Sequence, residues 1–271
     1  MGVFDFFKKE AGIAQKRSAN AAKIGKTAQE RKDISIEILK SQSVPYIDHL
    51  PLRYETDEVT PREKDEVIAR AICSYATIMC ACSIRDEGKL ADEDKQGAQG
   101  FLTNRFECID KLTRMERRVT QGEASRDEAI NMGWKYESLW ALMWAMGLVE
   151  ELSFPSEICD CAFVMDTFSG GDFSARVKLR GTDEILQALD LIYRYHWACV
   201  NASVHGSDCA GLDEEVVMER RGGLEWLCCK GAENDNLTDE YNAWDYPDLN
   251  TYRPFFLYTS LEISPNFSRV L

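Results

Sequence analysis

The 271-residue sequence lacks the short motifs by which many enzymes and nucleotide-binding proteins are identified. It has no glycine-rich loop of the kind that cradles phosphate, no Gly-x-Ser-x-Gly turn that would present a nucleophilic serine, and no carboxylate pair at the spacing of metal ligands. It also has no internal repeat at the periods of solenoid proteins. The sequence therefore cannot be assigned to an enzyme class or to a nucleotide-binding class by a motif. No motif supports a catalytic function.

Histidine is scarce, with three residues, whereas cysteine is frequent, with ten. Structural zinc sites use cysteine pairs separated by two to four residues, because that spacing lets both thiolates reach one tetrahedral ion. The spacing is absent from the closest pairs, which are Cys80-x-Cys82, Cys159-x-Cys161 and Cys228-Cys229. We therefore expect no bound metal and no cofactor, and most cysteines fit apolar helical runs as small hydrophobic side chains. A cysteine activated by a distant histidine stays an open alternative.

The sequence also lacks a segment that would enter or cross a membrane. The N-terminus has no continuous apolar stretch of the kind found in a signal peptide. The apolar run Leu139–Val149 is shorter than the roughly 20 residues that a transmembrane helix needs. We therefore expect no transmembrane segment and predict a cytoplasmic protein whose thiols are reduced.

Charge is distributed unevenly along the chain. The net charge is −14, but residues 1–32 carry +5, so the remainder carries −19. An acidic body repels the phosphates of nucleic acids, so we expect no nucleic-acid partner and favour a protein partner. Residues 1–32 have the pattern of a basic amphipathic arm, with Phe4 and Phe7 on one helical face. This segment is a mobile arm, is a helix packed on its own domain, or makes a weak contact with a membrane surface.

Long apolar segments with helical spacing predict a mainly α-helical fold. In the stretch Trp134–Leu152, the side chains of Tyr136, Trp140 and Trp144 recur at every fourth position and share one face of a helix. Apolar residues fill the adjoining faces, which is typical of a helix buried in a core. A second long buried helix begins at Thr182. We predict a single helical domain over residues 33–252, with at most a minor strand or hairpin, followed by a C-terminal tail at 253–271.

Capping residues predict where several helices begin. Thr60 and Pro61 predict a helix from Pro61 to about Ser83, and apolar spacing predicts another over residues 99–119. Ser125 and Glu128 form a capping box that opens a helix. That helix either continues into the stretch from Trp134 or breaks at residues 131–133.

The second half of the chain contains a strand candidate and an unusual glycine pair. The segment Cys159–Phe168 is the best candidate for a strand, although it is short. Gly222 and Gly223 lie inside a helix that Asp213 caps, where two adjacent glycines are unfavourable. The pair therefore indicates a kink or a close approach by another helix.

The most unusual polar residues lie in the second long helix. Asp190 and Arg194 are one turn apart in an otherwise apolar sequence, so burial of either side chain alone would be costly. One interpretation is an intrahelical ion pair that tethers a neighbouring helix. The other is a polar cleft in which Asp190, Arg194 and His196 meet Glu137 and Glu219, and which binds a small anion or performs acid–base chemistry. The sequence alone leaves both interpretations open.

Several segments occur in an order that resembles a known family. They are WKYESLWALMWAMGL, LDLIYRYHWA, GLDEEVVMERRGGLEWL and WDYPDLNTY, preceded by EILKSQSVPYIDHLP. The family is the bacterial domain of unknown function 4272, and the resemblance covers about residues 33–252. The sequence departs from the family pattern at Gly222-Gly223, where bulkier helix-forming residues are expected. The resemblance implies a mainly helical intracellular protein, and it transfers no activity and no catalytic residue.

These observations favour a non-enzymatic protein-binding or accessory module. A regulatory or immunity-like role fits such a module by analogy. The alternative is a small-molecule-binding protein or an enzyme that uses a cleft around Asp190, Arg194 and His196. The two hypotheses differ in the environment of Asp190 and Arg194. A pair sealed away from any cavity opposes the alternative, whereas an open pocket beside it supports the alternative.

Overall fold

A computed structural model describes residues 25–170 and 173–251 of the chain. Over these residues the fold consists of α-helices joined by loops and by short 3-10 or π turns, without a β-strand. The helices are α1 (Ala28–Ser41), α2 (Lys64–Glu87), α3 (Asp92–Gly100), α4 (Arg114–Thr120), α5 (Arg126–Gly133), α6 (Lys135–Ala145), α7 (Cys161–Ser169), α8 (Thr182–His205) and α9 (Glu214–Cys228). The prediction of a mainly helical single domain is confirmed.

The predicted terminal segments fall largely outside the described residues. These are the first 24 residues of the basic arm, with its proposed membrane contact, and the tail over residues 253–271. The last residues of the predicted arm are described, because α1 begins at Ala28. Arg31 on α1 is buried and forms an ion pair with Asp183 at 2.8 Å, so this part of the segment is packed on the domain.

Helix α6 packs against α9 and against α2. Leu139, Leu142 and Met143 on α6 are fully buried, in agreement with the apolar pattern around this helix. Helix α8 packs against α9 and α1. These contacts bury one continuous apolar core, whose removal from water is the main stabilising term of the fold.

The glycine pair brings α9 unusually close to α6. A Cβ atom added at Gly223 would lie 2.6 Å from the backbone oxygen of Ser138, and one added at Gly222 would lie 3.2 Å from Cγ of Pro247. The Ser138 hydroxyl donates to the backbone oxygen of Glu219 at 2.7 Å, which fixes the two helices in this register. Helix α9 continues through both glycines. The close approach that the glycine pair indicated is therefore confirmed.

The predicted strand over Cys159–Phe168 is wrong, because this segment forms α7. The carboxylate of Asp160 accepts a hydrogen bond from the backbone N–H of Phe163 at 2.9 Å, which caps the helix. Val164 and Phe168 are fully buried and lie four residues apart, as on one face of a helix. A short apolar run does not distinguish a buried strand from a helix, and here the cap decides the structure.

The region predicted as one helix over residues 99–119 is divided. Helix α3 ends at Gly100, a π turn covers Phe101–Arg105 and a 3-10 turn covers Ile109–Lys111. Helix α4 then starts anew, because the Thr113 hydroxyl accepts from the N–H of Glu116 and the Glu116 carboxylate accepts from the N–H of Thr113. Apolar spacing alone therefore overestimated the length of this helix.

Helix α2 begins at Lys64, where Glu63 and Glu66 form the capping box, rather than at Pro61. By length and composition it is the one helix among the described residues that is suited to cross a bilayer. However, 72% of its apolar window is buried inside the fold. Such burial is what a helix in the core of a folded domain shows.

Two other predicted helix starts agree with the structure. The capping box of Ser125 and Glu128 opens α5, and the Asp213 carboxylate caps α9. The sequence left open whether the helix from Ser125 continues or breaks at residues 131–133. In the structure it breaks one residue later, at Trp134, because α5 ends at Gly133 and α6 begins at Lys135.

Arg221 on α9 is fully buried and holds the last described segment of the chain. Its guanidinium donates to the backbone oxygens of residues 248–250 at distances from 2.8 to 3.3 Å. It also lies 3.1 Å from the Glu225 carboxylate and 2.8 Å from Nδ1 of His196. Because arginine only donates, the His196 imidazole accepts through Nδ1 and is neutral. Burial and the charge of Arg221 lower the pKa of His196 to about 3.

Replacement of Gly223 by alanine should destabilise the fold. Overpacking typically costs about 1–3 kcal/mol, and a Cβ 2.6 Å from the backbone oxygen of Ser138 places the cost in the upper part of this range, above the gain of about 1 kcal/mol that alanine gives a helix over glycine. Urea unfolding followed by circular dichroism measures the change. Gly97→Ala on α3 is the matched control, because a Cβ there meets nothing within 4 Å and should raise the free energy of unfolding. Equal stabilisation by both substitutions would contradict the close packing of α9 on α6.

Acidification should destabilise the fold through His196. Its pKa is about 3 in the folded protein and near 6.5 in the unfolded chain, so between these values the unfolded state binds one more proton. This contribution to stability is complete above pH 6.5 and is lost as the pH falls towards 3, with a limiting slope of about 1.4 kcal/mol per pH unit. Urea unfolding of the wild type and of His196→Gln at pH 7 and pH 5 measures the difference.

Glutamine can still accept from Arg221 but does not titrate, so His196→Gln should reduce the pH dependence by one proton. His205→Gln, which removes an exposed imidazole outside the contact with Arg221, is the matched control. A His196→Gln variant with an unchanged pH dependence would show that this histidine does not produce the effect.

Candidate functional site

The five polar residues predicted to share a cleft are divided among separate pairings. Asp190 and Arg194 form a two-point ion pair on α8, in which Nε and Nη2 each lie 2.8 Å from a carboxylate oxygen. The two side chains are only 1% and 2% exposed. Neither residue lines the two cavities described below. The structure therefore contains the intrahelical ion pair that was one of the two interpretations of these residues.

Glu137 on α6 has partners of its own. One carboxylate oxygen accepts from Nε of Arg220 on α9 at 2.9 Å, and the other accepts from the backbone N–H of Cys159. Glu137 and Arg220 are both almost completely buried. The carboxylate thus joins α6 to α9 and to the segment that precedes α7.

Glu219 and His196 lie in two further pairings. The Glu219 carboxylate lies 3.1 Å from Nζ of Lys135 and 2.9 Å from the hydroxyl oxygen of Ser138. His196 accepts from Arg221. Within the described part of the chain, no hydrogen bond or ion pair joins these groups to the Asp190–Arg194 pair.

A cleft of about 420 Å³ lies where α2, α5, α6 and the start of α7 meet. We call this cavity the apolar cleft. It is lined by Cys82, Arg85, Ile130, Gly133, Trp134, Tyr136, Glu137, Ile158 and Cys161. Ile130 and Ile158 at its edge are 40% and 59% exposed. Phe163 on α7 is 38% exposed, and its ring packs edge-on against Trp140, one turn beyond Tyr136 on α6. Such a concentration of exposed apolar side chains is typical of a binding surface.

Two hydrogen bonds hold the walls of the apolar cleft in place. Nε of Arg126 on α5 donates to the backbone oxygen of Arg85 at the end of α2, at 3.0 Å. The N–H of Cys159 donates to Glu137 on α6, which positions the segment that carries Ile158. The break between α5 and α6 leaves Trp134 half-buried between these walls. The cleft is therefore formed by the folded chain itself and does not require a ligand to shape it.

The polar groups that line the apolar cleft are not arranged for catalysis. Both carboxylate oxygens of Glu137 already accept hydrogen bonds. Burial raises the pKa of the Cys82 and Cys161 thiols, so both are protonated and weakly nucleophilic at neutral pH. Burial likewise raises the pKa of the Tyr136 phenol. The described residues contain no group of three or more His, Cys, Asp and Glu side chains placed to hold a metal ion.

The edge of the apolar cleft around Ile158 is acidic. Glu157 and Asp160 are exposed on either side of Ile158, and neither forms an ion pair with another described residue. The Arg85 guanidinium is paired with Asp86 at 2.7 Å, so its charge is already neutralised. This edge therefore has the same sign of charge as the chain beyond residue 32, which carries −19.

A second cavity of about 450 Å³ lies on a different face of the joint between α5 and α6. It is lined by Met115, Glu128, Asn131, Met132, Lys135, Glu219, Asp245 and Tyr246. Its charged groups already have partners: Lys135 is paired with Glu219 and Glu128 with Arg118, while the Asp245 carboxylate accepts hydrogen bonds from Thr113 and Asn242. A ligand would have to displace these partners, whereas a ligand in the apolar cleft would only displace water. The apolar cleft is therefore the better candidate for a functional site.

Sequence reasoning missed the apolar cleft, although it selected Glu137, which lines its floor. The exposure of Ile130 and Phe163 results from the packing of helices that are distant in sequence, and no local pattern reports it. The available signal was Ile158, a large apolar residue in a loop between Pro155 and Asp160. Such a residue has no helix face of its own through which to enter the core.

The family model for the domain of unknown function DUF4272 matches residues 31–246. The match begins inside α1, includes α2 to α9 and covers every residue that lines the apolar cleft. No curated protein and no solved structure matches the chain. The family match agrees with the resemblance seen in the order of the aromatic and acidic segments. The chain therefore belongs to the DUF4272 family.

Proposed function

We propose that this protein is a non-enzymatic accessory module that binds a partner protein through the apolar cleft. The observation that carries the proposal is the exposure of Ile130 and Ile158 at the edge of a preformed cleft, together with that of Phe163 on the helix that contributes Cys161 to it. Covering such side chains is favourable, with about 1.5–3 kcal/mol for complete burial of one isoleucine or phenylalanine. A regulatory or immunity-like role in the cytoplasm is the biological class that corresponds to this proposal.

The charge around the cleft defines the chemistry of the partner. Glu157 and Asp160 leave the edge around Ile158 negative, and the rest of the domain adds charge of the same sign. A suitable partner segment presents a large apolar side chain, which fills the cleft, next to a lysine or arginine, which pairs with the acidic edge. Complementary charge accelerates the encounter and rejects acidic segments, while the apolar contact supplies the affinity.

The buried ion pairs support a binding role over a catalytic one. Asp190 and Arg194 form a two-point ion pair, and although Nη1 of Arg194 has no hydrogen-bond partner, both side chains are buried away from a ligand that arrives from solvent. Glu137 and Arg220 are engaged in the same way. Removal of one partner from such a buried pair typically costs about 3–5 kcal/mol, which suits these groups to holding helices in position.

Selection of random peptides displayed on phage against the purified full chain tests the partner's chemistry. The enriched peptides should contain a large apolar residue next to lysine or arginine. Ile158→Asp places a charge at the cleft and should weaken binding of the selected peptides at least tenfold, or about 1.4 kcal/mol, by fluorescence anisotropy. Binding should also weaken with added salt, because the interactions at the acidic edge are exposed.

Val204→Asp is the matched control, because Val204 is 74% exposed on α8 and does not line the cleft. It should bind the selected peptides as the wild type does, and circular dichroism checks that both variants are folded. Equal binding by Ile158→Asp and the wild type would contradict docking in the cleft. Enrichment of acidic peptides would contradict the proposed partner, and enrichment of peptides that match residues 1–17 would replace it with an intramolecular occupant.

A further inference from the structure

Two of the free cysteines are in direct contact inside the domain. The Sγ atoms of Cys73 on α2 and Cys108 in the segment between α3 and α4 lie 3.9 Å apart. Sγ of Cys73 also lies 3.4 Å from the backbone oxygen of Cys108. Both side chains are buried. Because sulfur atoms in a disulfide are about 2.05 Å apart, a displacement of roughly 2 Å would bring this pair to bonding distance.

The segment around Cys108 is the part of this contact that can move. Cys73 lies in the middle of the long helix α2, whereas Cys108 follows the π turn Phe101–Arg105 and precedes the 3-10 turn Ile109–Lys111. Glu107, directly before the cysteine, has a φ of 52°, in the left-handed region that non-glycine residues rarely adopt. Short turns hold a segment less firmly than a continuous helix, and the unfavourable φ of Glu107 adds a backbone strain that a shift of this segment would relieve.

The two thiols are chemically unequal. The Cys73 thiol donates towards the sulfur of Cys108 and the Arg70 guanidinium is near, so the pKa of Cys108 is lowered. The same hydrogen bond raises the pKa of Cys73. Burial raises the pKa of seven of the other thiols. The thiolate is the form of cysteine that reacts with oxidants, so Cys108 is the more reactive member of the pair.

We propose that Cys73 and Cys108 are an oxidation site, at which a hydroperoxide converts the two thiols into an intrachain disulfide. The Cys108 thiolate attacks one peroxide oxygen, so that an S–O bond forms, the O–O bond breaks and hydroxide leaves. The Cys73 sulfur then attacks the resulting sulfenic acid, so that the S–S bond forms and water leaves with the Cys73 proton. The two sulfurs lose two electrons in total, which reduce one hydrogen peroxide to two water molecules.

The position of the pair gives the disulfide a structural consequence. A cavity of about 310 Å³ is bordered by Leu102 and Ile109, which flank the segment that carries Cys108, but neither cysteine lines it, so an oxidant reaches the pair when this segment moves. The bond would join α2 to the segment before Thr113, the cap of α4. It would close a loop of 35 residues, which restricts the unfolded chain and so stabilises the fold. Oxidation would thus fix a segment that the reduced protein holds through turns.

Peroxide treatment of the purified full chain tests this proposal. Alkylation under denaturing conditions followed by peptide mass spectrometry should show that two of the ten thiols are lost, in one linked pair of peptides that contain Cys73 and Cys108. The thermal unfolding midpoint should rise, and dithiothreitol should reverse both changes. Cys73→Ala should abolish the link and leave Cys108 as a sulfenic acid that dimedone labels. Cys199→Ala, which removes another buried thiol, should leave the link intact.

Formation of a different disulfide while Cys73 and Cys108 remain alkylatable would overturn the proposal. It would also be overturned if both stay reduced at a peroxide concentration that oxidises the less buried Cys82 or Cys161. Should Cys73→Ala fail to fold, the peptide map of the wild type decides between these results by itself. The outcome is independent of whether the apolar cleft binds a partner, because none of the cleft residues takes part.

Discussion

The contact between Gly223 on α9 and the backbone of Ser138 on α6 is the constraint on which much of this domain depends. Because no side chain separates the two helices at this point, their polar groups come within hydrogen-bonding distance, and Arg220 reaches Glu137. Glu137 in turn accepts from the N–H of Cys159 and so positions one wall of the apolar cleft. The absence of a side chain in α9 therefore helps to shape a surface to which α9 itself contributes no lining residue.

Buried arginines also hold parts of the domain in position. The Arg221 guanidinium donates to the backbone oxygens of residues 248–250. One side chain thus binds three successive carbonyl groups of a loop without regular secondary structure. Arg194 and Arg220 are each enclosed with a carboxylate partner. Five donors in a fixed plane allow a guanidinium to satisfy several acceptors at once, which an ammonium group cannot do. The polar residues that were predicted to share a cleft thus hold helices in position in the interior, whereas the exposed candidate site is apolar.

The sequence predicted those features whose physical cause is local. Buried helices were recognised from apolar spacing, and the Asp190–Arg194 pair follows from a separation of one helical turn. The partners of Glu137 and Glu219 depend on the register between α6 and α9, which no short-range pattern encodes. The strand expected at Cys159–Phe168 was wrong for the related reason that a short apolar run is ambiguous until its cap is recognised. Exposure of Ile130 and Ile158 is likewise a property of the assembled helices.

The enclosed pair of Arg70 on α2 and Glu116 on α4 has a consequence for how sequences in this family can diverge. Both side chains are fully buried, so loss of either one leaves an uncompensated charge in the core, at a cost of about 3–5 kcal/mol. That is a large share of the 5–15 kcal/mol by which domains are usually stable. Replacement of both by apolar residues of similar volume leaves no uncompensated charge, although it removes the acceptor for the N–H of Thr113 at the start of α4. Descendants of a common ancestor should therefore retain the two residues together or exchange them together, and an intermediate with one of them would survive only briefly.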